Sequence, residues 1–326
     1  MKPNNVRRTL LIDTDTASDD AVALIMALRS PLVHVAAITV VAGNVPVEQG
    51  TRNALYTTEL CDSDVPVYMG AAKPLLRKLE TAEWFHGVDG LGDHSYAPVT
   101  RKAEAMHAVD AIIETALRHP GMEMITLGPL TNLALALARE PRIAANISRC
   151  VVMGGAPCCE GNVTPAAEFN IWVDPEAARM VFLSGLPVEM IGWQVSRDEA
   201  ALDAQDIAGI LALQTPLAEF AIRCNSTAAA AYRTQTREHG ISLPDPIAMA
   251  VLLHPELSLS SGMHFVEIET ASELTRGMTV VDRLGVGADP RNSRTWNGAI
   301  TQARKTNVCW TLDVAGWKAA LMEALA

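Results

Sequence analysis

Short runs of consecutive apolar, often β-branched residues recur along the chain and alternate with stretches whose apolar positions repeat at helical spacing. Runs at residues 9–13, 35–41, 65–69, 124–127, 150–153 and 188–192 predict strands. The stretches 19–29, 47–60, 103–118, 130–138 and 175–183 predict amphipathic helices. Strand–helix alternation of this kind predicts an α/β fold, an open and mostly parallel twisted sheet with helices on both faces. The strands read as continuous apolar runs rather than alternating ones, as expected when both faces of a sheet are covered. Residues 75–98 interrupt the pattern with glycines, aromatics and histidines (WFHGVDGLGDHSY, 84–96). Residues 201–239 read as long and helical before GISLPDP; 263–283 predict a C-terminal β-hairpin and 314–325 a closing helix. No internal repeat or linker separates these segments, so 1–326 reads as one domain with elaborated loops.

Composition narrows the function. Of the 326 residues 49% are apolar and 19% charged, ample for a large core. The formal net charge of −11 argues against a nucleic-acid partner, whose phosphates are held mainly by Lys and Arg. No apolar run is long enough to predict a membrane span. Cys61, Cys150, Cys158, Cys159, Cys224 and Cys309 form no CxxC pair or zinc pattern. With an N-terminus unlike a signal peptide, they suggest a reducing cytoplasm. The adjacent Cys158 and Cys159 read as small buried residues beside a glycine turn, with a redox pair as the alternative.

The densest chemistry is LLIDTDTASDD, where Asp13, Asp15, Asp19 and Asp20 fall within eight residues. They lie where the first strand should end and a helix begin, the edge at which open α/β sheets bind ligands. Ser18 is a candidate N-cap. Acids at a helix start complement its dipole, which accounts for Asp19 and Asp20 but not for two more on the preceding strand and turn. Four converging carboxylates repel unless protons or a cation sit among them, and a hard, oxygen-loving divalent cation suits the set.

The pattern DxDxxxDD after an N-terminal strand resembles the signature of the inosine–uridine-type nucleoside hydrolases. VAGNV (41–45), TLGPLTNLALAL (126–137), VVMGGAP (151–157), GNVTPAAEFNIWVDPEAA (161–178) and LPDPIAMA (243–250) agree in the same order and span nearly the whole chain. The resemblance implies a nucleoside hydrolase fold with a Rossmann-like core. It also implies a Ca²⁺-dependent enzyme that hydrolyses the N-glycosidic bond of ribonucleosides. On that resemblance Asp15 ligates calcium and activates the attacking water. Asp20, Asp245 and the backbone carbonyl of Leu127 complete the protein ligands. Asp19 holds the ribose 2′-hydroxyl with Asn44 nearby, and Asn162, Glu168 and Asn170 hold the other hydroxyls. Asp13 orders the loop. A homodimer or homotetramer is usual in the family. The plainer role for Glu168 and Asn170 is capping before the helix at Pro175.

The base end departs from one branch of that family, in which a histidine just before the last calcium aspartate protonates the leaving base. Here that residue is Pro244, which has no proton to give. His86, His239 and Tyr232 are the other candidates, while Trp84, Phe85 and Trp193 could stack on a base. Three other readings compete. The strand followed by DxDxT also resembles haloacid-dehalogenase-like magnesium phosphatases with Asp13 as nucleophile, but Ala17 stands where the threonine belongs. A non-catalytic nucleoside- or ribose-binding protein would not need the full acid set. A hydrolase of another N-riboside, such as nicotinamide riboside, would.

Overall fold

The computed structural model describes residues 7–292 and 304–326. Eight strands form one sheet in the order β3-β2-β1-β4-β5-β6-β10-β7. They are β1 (Arg8–Thr14), β2 (Val33–Val40), β3 (Val67–Met69), β4 (Met122–Thr126), β5 (Ile147–Met153), β6 (Val188–Ile191), β7 (Ser258–His264) and β10 (Thr306–Leu312). Neighbouring pairs from β3 through β10 are parallel, and only β7 runs antiparallel, against β10. Six of the strands coincide with the predicted runs. β7 and β10 were not expected, because β7 is a polar edge strand (SLSSGMH) exposed along most of its length and β10 mixes polar with apolar residues. The expected hairpin is a separate antiparallel pair, β8 (Val266–Ile268) with β9 (Thr279–Val281).

The helices also match, with shifts. Helix α1 (Ser18–Arg29) follows β1, and its N-cap is Ala17 rather than Ser18. The helix expected from 103 starts at Ala108, where the His107 side chain caps it; Glu104 instead bridges to Tyr68. The long segment 201–239 is three helices: Ala204–Leu211, Pro216–Cys224 and α11 (Ser226–Thr236), with breaks at Gln214 in a left-handed conformation, Pro216 and Asn225. Among the described residues, no helix is long and apolar enough to cross a membrane.

The order β3-β2-β1-β4-β5-β6 reverses between β1 and β4. Such a reversal opens a crevice at the carboxyl ends of the strands. Two helices deliver residues to it. From Ser18 to Ala27, α1 is buried on every side. Helix α12 (Pro244–Leu253) is buried from Asp245 to Leu253 and packs on α1. The arginines at the opposite strand ends set the direction of α12. Arg8 donates to the carbonyls of Leu252 and Leu253 at 3.0 and 2.9 Å, and Arg149 to those of Leu252 and Val251 at 3.0 and 3.1 Å. Guanidinium groups there satisfy the unpaired carbonyls and the negative helix end. The first turn of α12, with Asp245, is thereby directed at the crevice.

Candidate active site

The site is built outward from Asp15, which lies in the turn between β1 and α1 and is fully buried. Its Oδ2 accepts the backbone N–H of Asn44 at 2.6 Å. Two glycines make room for the carboxylate. A Cβ on Gly43 would stand 2.0 Å from Oδ2, and one on Gly128 would stand 2.8 Å from Cγ. The glycines of VAGNV and TLGPL are therefore the walls of the Asp15 site.

Asp20 is anchored by Thr14, whose hydroxyl donates to Oδ1 at 2.5 Å, and by the backbone N–H of Ala17, which donates to Oδ2 at 2.9 Å. It sits against both Asp15 and Asp245. Asp19, Asp20 and Asp245 each offer an oxygen, and these three atoms lie within 4.8 Å of one another, a spacing that could hold a metal ion. Burial, then the negative charges of neighbouring aspartates, push the carboxyls of Asp15 and Asp245 well above the ordinary range and Asp19 up to about 8. Asp19 Oδ1 is buried without a partner. An all-oxygen, mutually repelling set fits a hard cation, although Asp15, expected as a ligand, stands outside this trio and touches it through Asp20.

Asp13 belongs to the scaffold. Its Oδ1 accepts from the Thr39 hydroxyl at 2.6 Å and the Asn132 amide at 2.9 Å, and burial raises its pKa to about 7. Like Asp15 and Asp20, it lies behind the residues that line the cavity described next, but unlike them it makes no contact with the other aspartates.

A cavity with about 680 Å³ of space, counting the open solvent at its mouth, lies beside the carboxylates. On its inner wall are Asp19, Asn44, Leu127, Asp245, Glu168 and Asn170. The short helix α7 (Phe169–Val173) presents the last two. Glu168 is its N-cap, with Oε1 accepting from Asn170 N and Oε2 from Ile171 N and Gly155 N. Capping is thus real for Glu168, but at α7; the helix at Pro175 is capped by Asp174. The Asn170 amide donates to the Leu127 carbonyl at 2.9 Å, which leaves that oxygen a second lone pair. Half-buried Asn162 accepts the Phe169 N–H at 2.9 Å.

The outer wall carries aromatics. Trp193 is buried, whereas Trp84 is 59% exposed at the rim and packs edge-on against Phe85. His86 is buried between them and the acids. Its Nδ1 lies 2.8 Å from Ser18 Oγ and 3.8 Å from Asp19 Oδ1, and burial lowers its pKa to about 3. Of the three candidate proton donors, only His86 reaches the cavity. Tyr232 lies behind Trp193, ring centroids 6.3 Å apart, with its hydroxyl committed to Glu238, itself paired with Arg197. His239 is exposed and lines a different surface groove. Contrary to expectation, Cys158 and Cys159 are not buried, since Cys158 is exposed at a left-handed turn position and Cys159 half-buried; all six cysteines are free thiols. Asn225 and Gln235 also line the cavity and went unnoticed in the sequence, because a polar residue in an Ala-rich helical run leaves no pattern.

Residues 10–318 match the family described as inosine-uridine preferring nucleoside hydrolase. The chain belongs to this family. It is 39% identical to the non-specific ribonucleoside hydrolase RihC of Salmonella enteritidis over 318 residues, 97% of each chain. Its fold superposes on a plant nucleoside hydrolase (TM-score 0.91, 30% identity, 98% of this chain and 99% of that one). It also superposes on the purine-preferring ribonucleoside hydrolase of Gardnerella vaginalis (TM-score 0.87, 32% identity, 98% of each). As a member of the nucleoside hydrolase family the chain is an N-glycosyl hydrolase, an enzyme rather than a passive binder. The phosphatase reading loses its support, and its required nucleophile, Asp13, is tied to Thr39 and Asn132.

Proposed function

We propose that this nucleoside hydrolase splits ribonucleosides with water, giving ribose and the free base, and that Asp15 is its general base. The observation that carries the reading is the convergence of Asp15, Asp19, Asp20 and Asp245 beside a cavity lined by Asn44, Glu168 and Asn170. Asp15, Asp20, Asp245 and the Leu127 carbonyl are the residues that would hold Ca²⁺. When bound, the ion would supply positive charge that acidifies and orients a water. Asp15, held by Asn44 N–H, takes that water's proton as its oxygen attacks the anomeric carbon. The bond to the base breaks with its electron pair going to the base, which then gains a proton. The surrounding carboxylates stabilise the positive charge that develops on the ribose. Asp19 and Asn44 hold the 2′-hydroxyl, and Asn162, Glu168 and Asn170 the others. Trp84 and Trp193 flank the base.

The remaining parts of this reading are one catalytic domain over 1–326, a homodimer or homotetramer, and a cytoplasmic location. A small ribonucleoside, and neither nucleic acid nor membrane, is its partner. A panel of nucleosides assayed for reducing sugar, with and without chelator, tests the reading. Ribose release that chelation abolishes and calcium restores is expected. Activity indifferent to chelation removes the metal, and no ribose from any N-riboside overturns the function.

A further inference from the structure

Asn225 stands at the junction of the helix Pro216–Cys224 and α11, fully buried, and lines the cavity on the side of His86 and Ala228. Its amide nitrogen donates to two backbone carbonyls, Ala221 O at 2.9 Å and Ser18 O at 3.3 Å. Two acceptors on one end fix the orientation of the carboxamide, since only the NH₂ can serve them. The oxygen therefore faces the other way. Oδ1 is buried and has no hydrogen-bond partner among the described residues. A buried amide oxygen left unsatisfied is costly, and in a ligand cavity the natural remedy is a donor on the ligand. The ribose face of the cavity is already supplied with acceptors by Asp19 and Glu168, whereas the wall carrying Asn225 continues through Ala228 toward Gln235.

We propose that Asn225 is a specificity-determining residue whose Oδ1 accepts a hydrogen bond from a ring N–H of the leaving base. The ligand class it selects is a nucleoside with a lactam base, such as hypoxanthine or uracil. The inference rests on the nucleoside hydrolase reading of this cavity and deepens it. Bases without that N–H would leave Oδ1 unpaired in the complex, and sites built around a polar contact discriminate strongly against analogues lacking it.

The test is a cycle of enzyme variant against substrate. Inosine is compared with purine riboside, and uridine with 3-deazauridine, whose C–H replaces the ring N–H. Within each protein only the ratio of kcat/KM values is used, so a general loss of activity in the variant cancels. In the wild-type enzyme at least one pair should differ by about 10- to 100-fold. In Asn225→Ala that difference should collapse to about threefold or less. Asn225→Val, which offers no acceptor, serves as the second variant if the alanine form melts below the assay temperature, and the same collapse is required of it. Ratios that are the same in wild type and variant overturn the proposal. So does a variant that instead loses its discrimination between a nucleoside and its 5′-deoxy analogue, because Oδ1 would then face the sugar. Failure of the underlying reading looks different: the wild-type enzyme would release ribose from none of the substrates.

Discussion

The backbone of Gly43 presses so closely on the Asp15 carboxylate that a single added methyl would stand 2.0 Å from Oδ2. A methyl on Gly128 would stand 2.8 Å from Cγ and Oδ1 of the same carboxylate, and Asn44 N–H holds Oδ2 at 2.6 Å. The carboxylate proposed as general base is therefore placed by residues with no side chain of their own. Gly43→Ala should lower kcat by about 10²-fold or more, approaching the ~10²–10⁴-fold expected for Asp15→Ala, which removes the base outright. Steady-state kinetics on the best nucleoside would check both. Near-normal kcat in Asp15→Ala would mean that the base lies elsewhere, and in Gly43→Ala that the carboxylate tolerates displacement.

A cation and protons should compete for the acid cluster. Burial and neighbouring charges raise Asp19 to about 8, and burial raises Asp13 to about 7, from 3.8. Between the unfolded and folded values the native state holds more protons than the unfolded chain, so metal-free stability falls as pH rises from about 4 to 8. Calcium relieves the same repulsion without protons. Added Ca²⁺ should thus raise Tm more at pH 8 than at pH 5. At a hundredfold excess over its Kd the gain is about 2.7 kcal/mol, which is a shift of a few degrees in a melting scan. An equal shift at both pH values, or none, would contradict a cation held by these carboxylates.

Recognition of the sugar should be strict. Asp19 Oδ1 is buried and unpartnered, and Asn44, Glu168 and Asn170 stand along the same wall. A 2′-deoxynucleoside should be a poorer substrate by about 10²-fold or more in kcat/KM, because its complex leaves a buried acceptor unpaired. Parallel assays of a nucleoside and its 2′-deoxy form decide this, and comparable values would remove Asp19 from the sugar site.

The parts of this site that could be read from the chain are those carried by local pattern. Four aspartates at one strand end announce themselves, as do glycines flanking polar residues in VAGNV and TLGPL. Six of the strands in the main sheet were legible because burial on both faces demands continuous apolar runs. β7 escaped because an edge strand needs no such run, and β10 because Thr306, Asn307 and Thr311 break its apolar run. Tertiary pairing was also invisible. Nothing in the order of residues indicates that Ser18 meets His86, 68 positions away, or that Asn225 turns its amide toward Ser18 O. Tyr232 and His239 ranked behind His86 as proton-donor candidates, and the fold turns one toward Glu238 and the other to solvent.

The last prediction concerns how the base leaves. Pro244 puts no donor in the segment before Asp245, and the loop 75–98 brings only His86 of the three candidates to the cavity. Burial keeps the imidazole neutral, with its pKa lowered to about 3. With the Ser18 hydroxyl donating to Nδ1, the ring proton sits on Nε2, from which the neutral imidazole assists a leaving base by donating a hydrogen bond rather than by carrying a second proton. In that tautomer Ser18 is a positioning residue for the ring. His86→Ala should cost about 10²-fold or more on an ordinary nucleoside and little on p-nitrophenyl riboside, whose leaving group needs no proton. Ser18→Ala should show the same pattern with a smaller loss, since the ring keeps its packing against Phe85, 4.9 Å between centroids, but loses its hydrogen-bond partner at Nδ1. Equal losses on both substrates would show that His86 only shapes the loop. No loss on either would mean that the base departs without help from this side chain, leaving solvent at the rim beside Trp84 as the proton source.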